Sequence, residues 1–176
     1  MNAAPSQSRP TPGTESKMLL SYLTAQRDHV LGILEGLDEE ALRRPVLPSG
    51  WTCLGLVRHL ALDVERFWFR AVVAGEQTVI DEVAKASSDA WQVGPDVPAK
   101  TVFDLYRQEI GLANAIITAT PLDTPPAWWP EFFGDWRAQD LRHLILHVMT
   151  ETACHAGHLD AARELIDGRR WLVLDE

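Results

Sequence analysis

Apolar residues recur three or four positions apart along four stretches of the chain, which is the spacing of an amphipathic helix. The first stretch begins near Glu15, and its apolar face carries Leu20, Leu23, Val30, Leu34 and Leu37. Arg27 interrupts that face. We expect this arginine either to extend to the surface or to hold a carboxylate bidentately.

The second and third stretches have recognisable start signals. Thr52 can cap a helix over residues 53–74, and Gly75 is placed to end it. A short helical turn ended by Pro45 comes before that helix, and residues 75–100 predict a long connection with one short helix at most. Thr101 can cap the third helix, whose apolar side carries Phe103, Tyr106, Ile110, Ala113 and Ile117.

The fourth stretch predicts a helix over residues 138–167, with Gly168 just beyond its end. Prolines between positions 121 and 130 exclude a helix there, and no stretch alternates in the manner of a strand. Four long helices with short and long connections predict an all-α four-helix bundle over residues 15–170. Residues 1–14, which are rich in Pro, Ser and Thr, predict a flexible tail, and residues 171–176 form a short C-terminal tail.

Composition and charge mainly exclude certain kinds of protein and partner. A length of 176 residues suits one domain, and a net charge of −9 argues against a nucleic-acid partner. The apolar runs are too short to span a bilayer, and residues 1–14 lack the charged-then-apolar pattern of a signal peptide, so we expect none. Two cysteines do not make a disulfide framework, so we expect a cytoplasmic protein with no membrane partner.

The segment ETACHAGHLD, residues 151–160, carries the most chemistry per residue. On a helical wheel, Glu151 and His155 lie about 40° apart. They fall within the apolar stripe of Leu144, Val148 and Leu159. A buried carboxylate needs a proton, a partner or a metal ion. The pair therefore predicts either a hydrogen bond that holds the helices in register or two ligands of one ion.

Neighbouring residues favour the metal. His147 and His158 border the same stripe, and on the second helix His59 borders the apolar face with Asp63 one turn further on. Asp63 can be a fourth ligand or, as we favour, the acceptor that orients His59. Cys154 and His158, also four residues apart, are a weaker alternative pair of ligands.

Two segments, PSGWTCLGLVRHLALDVERFW and LRHLILHVMTETACHAGHLDAARELIDG, resemble the DinB-like superfamily of metal-binding four-helix bundles. They are most similar to the branch that includes the metal-binding domain of mycothiol-dependent maleylpyruvate isomerase. The resemblance implies that His59, Glu151 and His155 bind one divalent metal. This set of donors favours zinc, and it also suits nickel, iron or manganese. It also implies a low-molecular-weight thiol such as mycothiol as cosubstrate, and it allows a homodimer.

The leading hypothesis is a metal-dependent thiol S-transferase or isomerase that acts on a small electrophile. The alternatives are a hydrolase that uses metal-bound water and a non-catalytic bundle with a structural metal. Arg27 and Arg142 are candidate clamps for a substrate carboxylate. The aromatic segment WWPEFFGDW, residues 128–136, packs on helix ends, forms the lip of a pocket or contacts a second copy of the chain.

Overall fold

The computed structural model describes residues 13–85 and 89–171, and over those residues the chain forms helices and loops with no strand. The helices are α1 (Thr14–Ile33), α2 (Glu39–Arg43), α3 (Cys53–His59), α4 (Gln77–Lys85), α5 (Ala99–Ala119) and α6 (Leu141–Asp167). A π-helix (Leu60–Val73) continues α3, and a single 3₁₀ turn covers Glu131–Phe133. The all-α prediction is confirmed. The predicted tails fall almost wholly on residues 1–12 and 172–176, which lie outside the described residues.

Four helical rods form the bundle. Helix α1 packs along α6, the π-helix packs along α5, and α3 contacts both α5 and α6. The core lies between them and is made of aliphatic and aromatic side chains, among them Leu23, Val30, Leu56, Leu60, Phe69, Tyr106, Ile117, Leu144 and Leu159. The short helix α4 covers the outer side of the π-helix.

Helix boundaries follow the predicted caps in two cases and not in a third. The Thr52 hydroxyl accepts a hydrogen bond from the Gly55 amide, and Gly168, with φ 81°, ends α6. Thr101, however, lies inside α5, so its prediction as a cap was wrong. Pro98 precedes the first helical residue, and the Glu39 carboxylate of α2 accepts from the Ala99 amide. A tertiary contact, invisible in the local sequence, therefore sets this helix start.

The start of α6 also differs from the prediction. The helix begins at Leu141, three residues later than expected, because the Asp140 carboxylate accepts from the His143 amide at 2.9 Å. Aspartate in this position satisfies an amide that would otherwise lack a partner in the first turn.

The predicted second helix is continuous, but most of it winds as a π-helix. The Ala74 amide donates to the Phe69 carbonyl five residues back, at 3.0 Å. This wider winding changes which side chains share a face, so Glu65, Trp68 and Phe69 are buried together with Leu60, Val64 and Phe67. A regular helical wheel therefore describes this segment incorrectly.

Arg27 is buried in the core and does not extend to the surface. Its Nε and Nη2 donate to the two carboxylate oxygens of Glu65, each at 2.6 Å, and Nη1 donates to the Asn114 side chain at 2.8 Å. Burial raises the pKa of Glu65, and the guanidinium opposes that effect. The ion pair therefore joins α1 to the π-helix inside the bundle, and the hydrogen bond of Arg27 to Asn114 adds α5.

Candidate metal centre

Two helices bring the three predicted ligands together. His59 is the last residue of α3, and Glu151 and His155 lie one turn apart near the middle of α6. One donor atom from each residue lies within 4.8 Å of the other two. His59 Nε2 is 3.8 Å from Glu151 Oε1, and the two imidazole rings meet edge to face with centroids 5.1 Å apart.

Asp63 orients the His59 ring. The Nδ1–H of His59 donates to Asp63 Oδ2 at 2.8 Å, so Nε2 faces Glu151 and His155. Metal-binding histidines usually donate the N–H of their other ring nitrogen to such an acceptor, and this hydrogen bond fixes both the tautomer and the ring plane. Asp63 lies outside the three-residue cluster, which agrees with the acceptor role and not with a fourth ligand.

Trp91 stacks on the His59 ring, and no sequence pattern predicted this contact. The two rings stack with centroids 4.3 Å apart, and Trp91 also meets the His155 ring at 5.7 Å. Trp91 lies in the long connection, where no periodicity indicates which side chains turn inward. Its loop is fixed because Arg58 Nη1 donates to three backbone carbonyls, those of Asp89, Ala90 and Gln92.

The loop approaches α3 closely at Gly55. A Cβ atom at this position would lie 2.2 Å from the Trp91 carbonyl oxygen, a distance that real atoms do not adopt. The missing side chain thus lets the loop reach the helix and bring Trp91 against His59.

The charges of the cluster favour a cation. Burial would lower the pKa of His59, but hydrogen bonds to Asp63 and Glu151 and their negative charge outweigh burial and raise it to about 9. Burial and the charge of His59 lower the pKa of His155 to about 4. Burial would raise the pKa of Glu151, but its hydrogen bond with His59 and the surrounding histidines hold it below its usual value. The carboxylates of Asp63 and Glu151 therefore stabilise a proton on His59, and a metal ion could take the place of that proton.

The donor set fits a divalent metal. Two imidazoles and one carboxylate are a known catalytic set for zinc, and they suit other first-row metals. Bonds of about 2.1 Å in a tetrahedral site separate neighbouring ligand atoms by about 3.4 Å. The 3.8 Å between His59 Nε2 and Glu151 Oε1 is close to that spacing.

The other candidate residues divide into near and distant groups. His147 Nε2 lies 3.4 Å from Glu151 Oε2, and Cys154 lies on the wall of the adjoining cavity but outside the cluster. His158 packs against Trp51 and His155 and does not line that cavity.

Arg27 and Arg142 lie away from the cavity. Arg27 is bound to Glu65 in the core, and Arg142 pairs with Glu15 at 2.6 Å and with Asp140 at 3.3 Å. Neither lines the cavity, so we do not propose either as a substrate clamp.

A cavity of about 650 Å³ opens beside the cluster, with His59, Glu151 and His155 in its wall. The rest of its lining is mainly apolar, and Phe132 and Phe133 of the aromatic segment contribute to it. This volume lies in the usual range for sites that bind small molecules. The placement agrees with the pocket-lip interpretation of residues 128–136.

Comparison with known proteins gives one match. A family model described as mycothiol S-transferase matches residues 18–168. Searches of curated proteins and of solved structures give no match. Separately, no helix in the described ranges 13–85 and 89–171 is long and apolar enough to cross a membrane.

Proposed function

Because the chain belongs to the mycothiol S-transferase family, within the DinB-like superfamily, we propose that it joins the sulfur of mycothiol or a similar thiol to a small electrophile, using a divalent metal. The observation that carries the proposal is the meeting of His59, Glu151 and His155 in the wall of a cavity of small-molecule size. Zinc is the metal we propose first, and the cytoplasm is the proposed setting.

The residues of the chain divide the work. His59 and His155 would offer imidazole nitrogens to the metal, and Glu151 would contribute one negative charge; sets of three protein ligands are typical of catalytic metal sites, and all three side chains line the cavity. When bound, the cation lowers the pKa of a nearby thiol, which makes the thiolate available at neutral pH. No cysteine of the chain is needed as the nucleophile.

Two neighbours position the ligands. Asp63 keeps the His59 proton on Nδ1, which leaves Nε2 for the metal. His147 Nε2 lies 3.4 Å from the second oxygen of Glu151, so Oε1 is the oxygen that faces His59. Phe67 and Trp68 line the same cavity and present an apolar surface to a bound molecule.

The test uses protein purified without a metal-affinity column, stripped with a chelator and reloaded with zinc. It is incubated with 4-nitrobenzyl chloride and with mycothiol, bacillithiol or glutathione, and the thioether is measured by mass spectrometry. We expect thioether only when both metal and thiol are present. Glu151→Ala and His59→Ala should abolish it, whereas Cys154→Ala should retain it. If no thiol is transferred by fully loaded protein, hydrolysis or a structural metal becomes the better account.

A further inference from the structure

We infer that the electrophile bound by this cavity is an uncharged molecule with an aromatic ring, and that a molecule bearing a carboxylate is rejected. The chemical step of this inference rests on the proposed function, whereas the binding preference does not.

The wall of the cavity matches an aromatic ring. Four aromatic side chains line it, namely Phe67, Trp68, Phe132 and Phe133. The rings of Trp68 and Phe133 are stacked with centroids 5.3 Å apart and planes 16° from parallel. A flat ligand can pack against such rings in the offset or edge-to-face geometry that aromatic pairs prefer.

Phe132 provides an independent indication. Its side chain is 69% exposed although it lines the cavity, while Phe67 and Trp68 beside it are buried. Phe132 and Phe67 have ring centroids 6.1 Å apart, so the exposed ring continues the buried aromatic wall outward. A ring bound at this position would remove the apolar face of Phe132 from water, which favours binding.

The charges in the wall disfavour an anion. None of the described residues that line the cavity is Lys or Arg, and the carboxylates of Asp63 and Glu151 both lie in it. A bound divalent cation would be balanced by those two carboxylates. The His59 imidazole in the wall is already paired with both of those carboxylates, so a ligand carboxylate placed against the aromatic wall would lose its hydration without gaining an unpaired cationic partner, and this is costly.

The reaction on such a molecule needs no further reactant. For an arylmethyl halide, the thiol gives its proton to the medium and the sulfur electron pair forms the new C–S bond. The carbon–halogen bond breaks, and the halide leaves with the bonding electrons. The substitution is redox-neutral, so it needs neither an oxidant nor a reductant.

Binding can be measured without catalysis. The full chain, freed of metal by chelation, is dialysed to equilibrium against methyl 4-nitrobenzoate or against 4-nitrobenzoate, which differ in one charge. We expect the neutral ester to bind at least about tenfold more tightly, because the carboxylate must be desolvated. Equal or tighter binding of the carboxylate overturns the inference, and so does a failure of both to bind.

A charge placed in the wall should reverse the preference. Thr150 lines the cavity, is exposed, and donates its hydroxyl hydrogen bond to the carbonyl four residues back on its own helix. Thr150→Arg should therefore strengthen 4-nitrobenzoate binding without disturbing the fold. Thr118→Arg is the matched control, since Thr118 makes the same bond on α5, is exposed, and does not line the cavity. If both variants change binding alike, the cavity is not the site and the inference fails.

Activity then separates the two proposals. Zinc-loaded protein with mycothiol is given methyl 4-(chloromethyl)benzoate or 4-(chloromethyl)benzoate. Faster transfer to the neutral halide supports both proposals, and faster transfer to the carboxylate overturns the inference alone. If neither halide reacts, the proposed function fails, while the dialysis result still decides the preference for an uncharged ring.

Discussion

His59 carries a proton that is stabilised by the carboxylates of Asp63 and Glu151, and a metal must displace this proton. The pKa of His59 is raised to about 9, His155 has a pKa of about 4, and Glu151 is ionised at neutral pH. Zinc binding at pH 7 should therefore release about one proton, because one imidazole is charged and the other is not. Calorimetric titration in buffers of different ionisation enthalpy measures that number. Release of no proton, or of two, would contradict this assignment.

The same shift has a consequence for stability. The pKa of His59 rises on folding from 6.5 to about 9, so the metal-free protein gains stability that is fully present below pH 6.5 and is lost as pH rises through about 9. Two ordinary imidazoles would lose a bound metal only below about pH 6, where they protonate. The carboxylates of Asp63 and Glu151 raise the pKa of His59, so protons compete with the metal for this residue already at a higher pH.

Replacement of Asp63, which accepts the hydrogen bond from His59 Nδ1, tests whether Asp63 positions the His59 ring. Asp63→Asn keeps an acceptor oxygen near Nδ1 but removes the charge, and we expect metal affinity to fall about 10- to 100-fold. Asp104→Asn is the control, because Asp104 also pairs with a residue four positions earlier, Lys100, but on α5. Zinc affinity measured by competition with a chelating dye should change in the first variant and not in the second.

Single residues differ in how well the sequence indicated them. Glu151 and His155 could be proposed from a helical wheel, because α6 is a regular helix and its apolar face is continuous. Trp91 could not, since it lies outside a long helix, where spacing carries no information about direction, and Phe132 was indicated only as part of the aromatic segment 128–136. Arg27 was seen as an interruption, but its partner Glu65 was hidden by the π-helical winding.

At the scale of elements, the close approach of the Trp91 loop to α3 makes a sharp prediction. Gly55→Ala places a methyl group 2.2 Å from the Trp91 carbonyl oxygen, so the loop must move. We expect a loss of roughly 1–3 kcal/mol in the free energy of unfolding, together with weaker zinc binding. Urea denaturation followed by circular dichroism measures the first effect.

Gly111→Ala is the matched comparison. Gly111 lies within α5, and a Cβ there meets nothing within 4 Å. Because alanine restricts the unfolded chain without a clash, this variant should gain about 0.4–1 kcal/mol. Equal effects of the two substitutions would mean that the loop does not pack on α3 as described.

The sequence also indicates some helix boundaries and helix types better than others. The caps at Thr52 and Gly168 are local, and the sequence showed both. The start of α5 depends on Glu39, which is 60 residues earlier in the chain, and the π-helix depends on packing against its neighbours. Both are set by tertiary contacts, which override local preference.

At the scale of the whole molecule, the buried Arg27–Glu65 pair links three of the rods. Glu65→Leu alone leaves a buried guanidinium without its carboxylate and should cost about 3–5 kcal/mol in the free energy of unfolding. The double variant Arg27→Met, Glu65→Leu removes both charges and should recover most of that loss. A double variant no more stable than the single one would contradict the account of this pair.

The central claim is that His59, Glu151 and His155 bind one divalent metal, and titration of zinc into chelator-stripped protein tests it most directly. We predict one site per chain in the wild type and in Cys154→Ala and His158→Ala, and none in His59→Ala, Glu151→Ala or His155→Ala, with circular dichroism showing that each variant is folded. Stoichiometric zinc binding that survives in any of the last three variants, at wild-type affinity, would contradict the assignment.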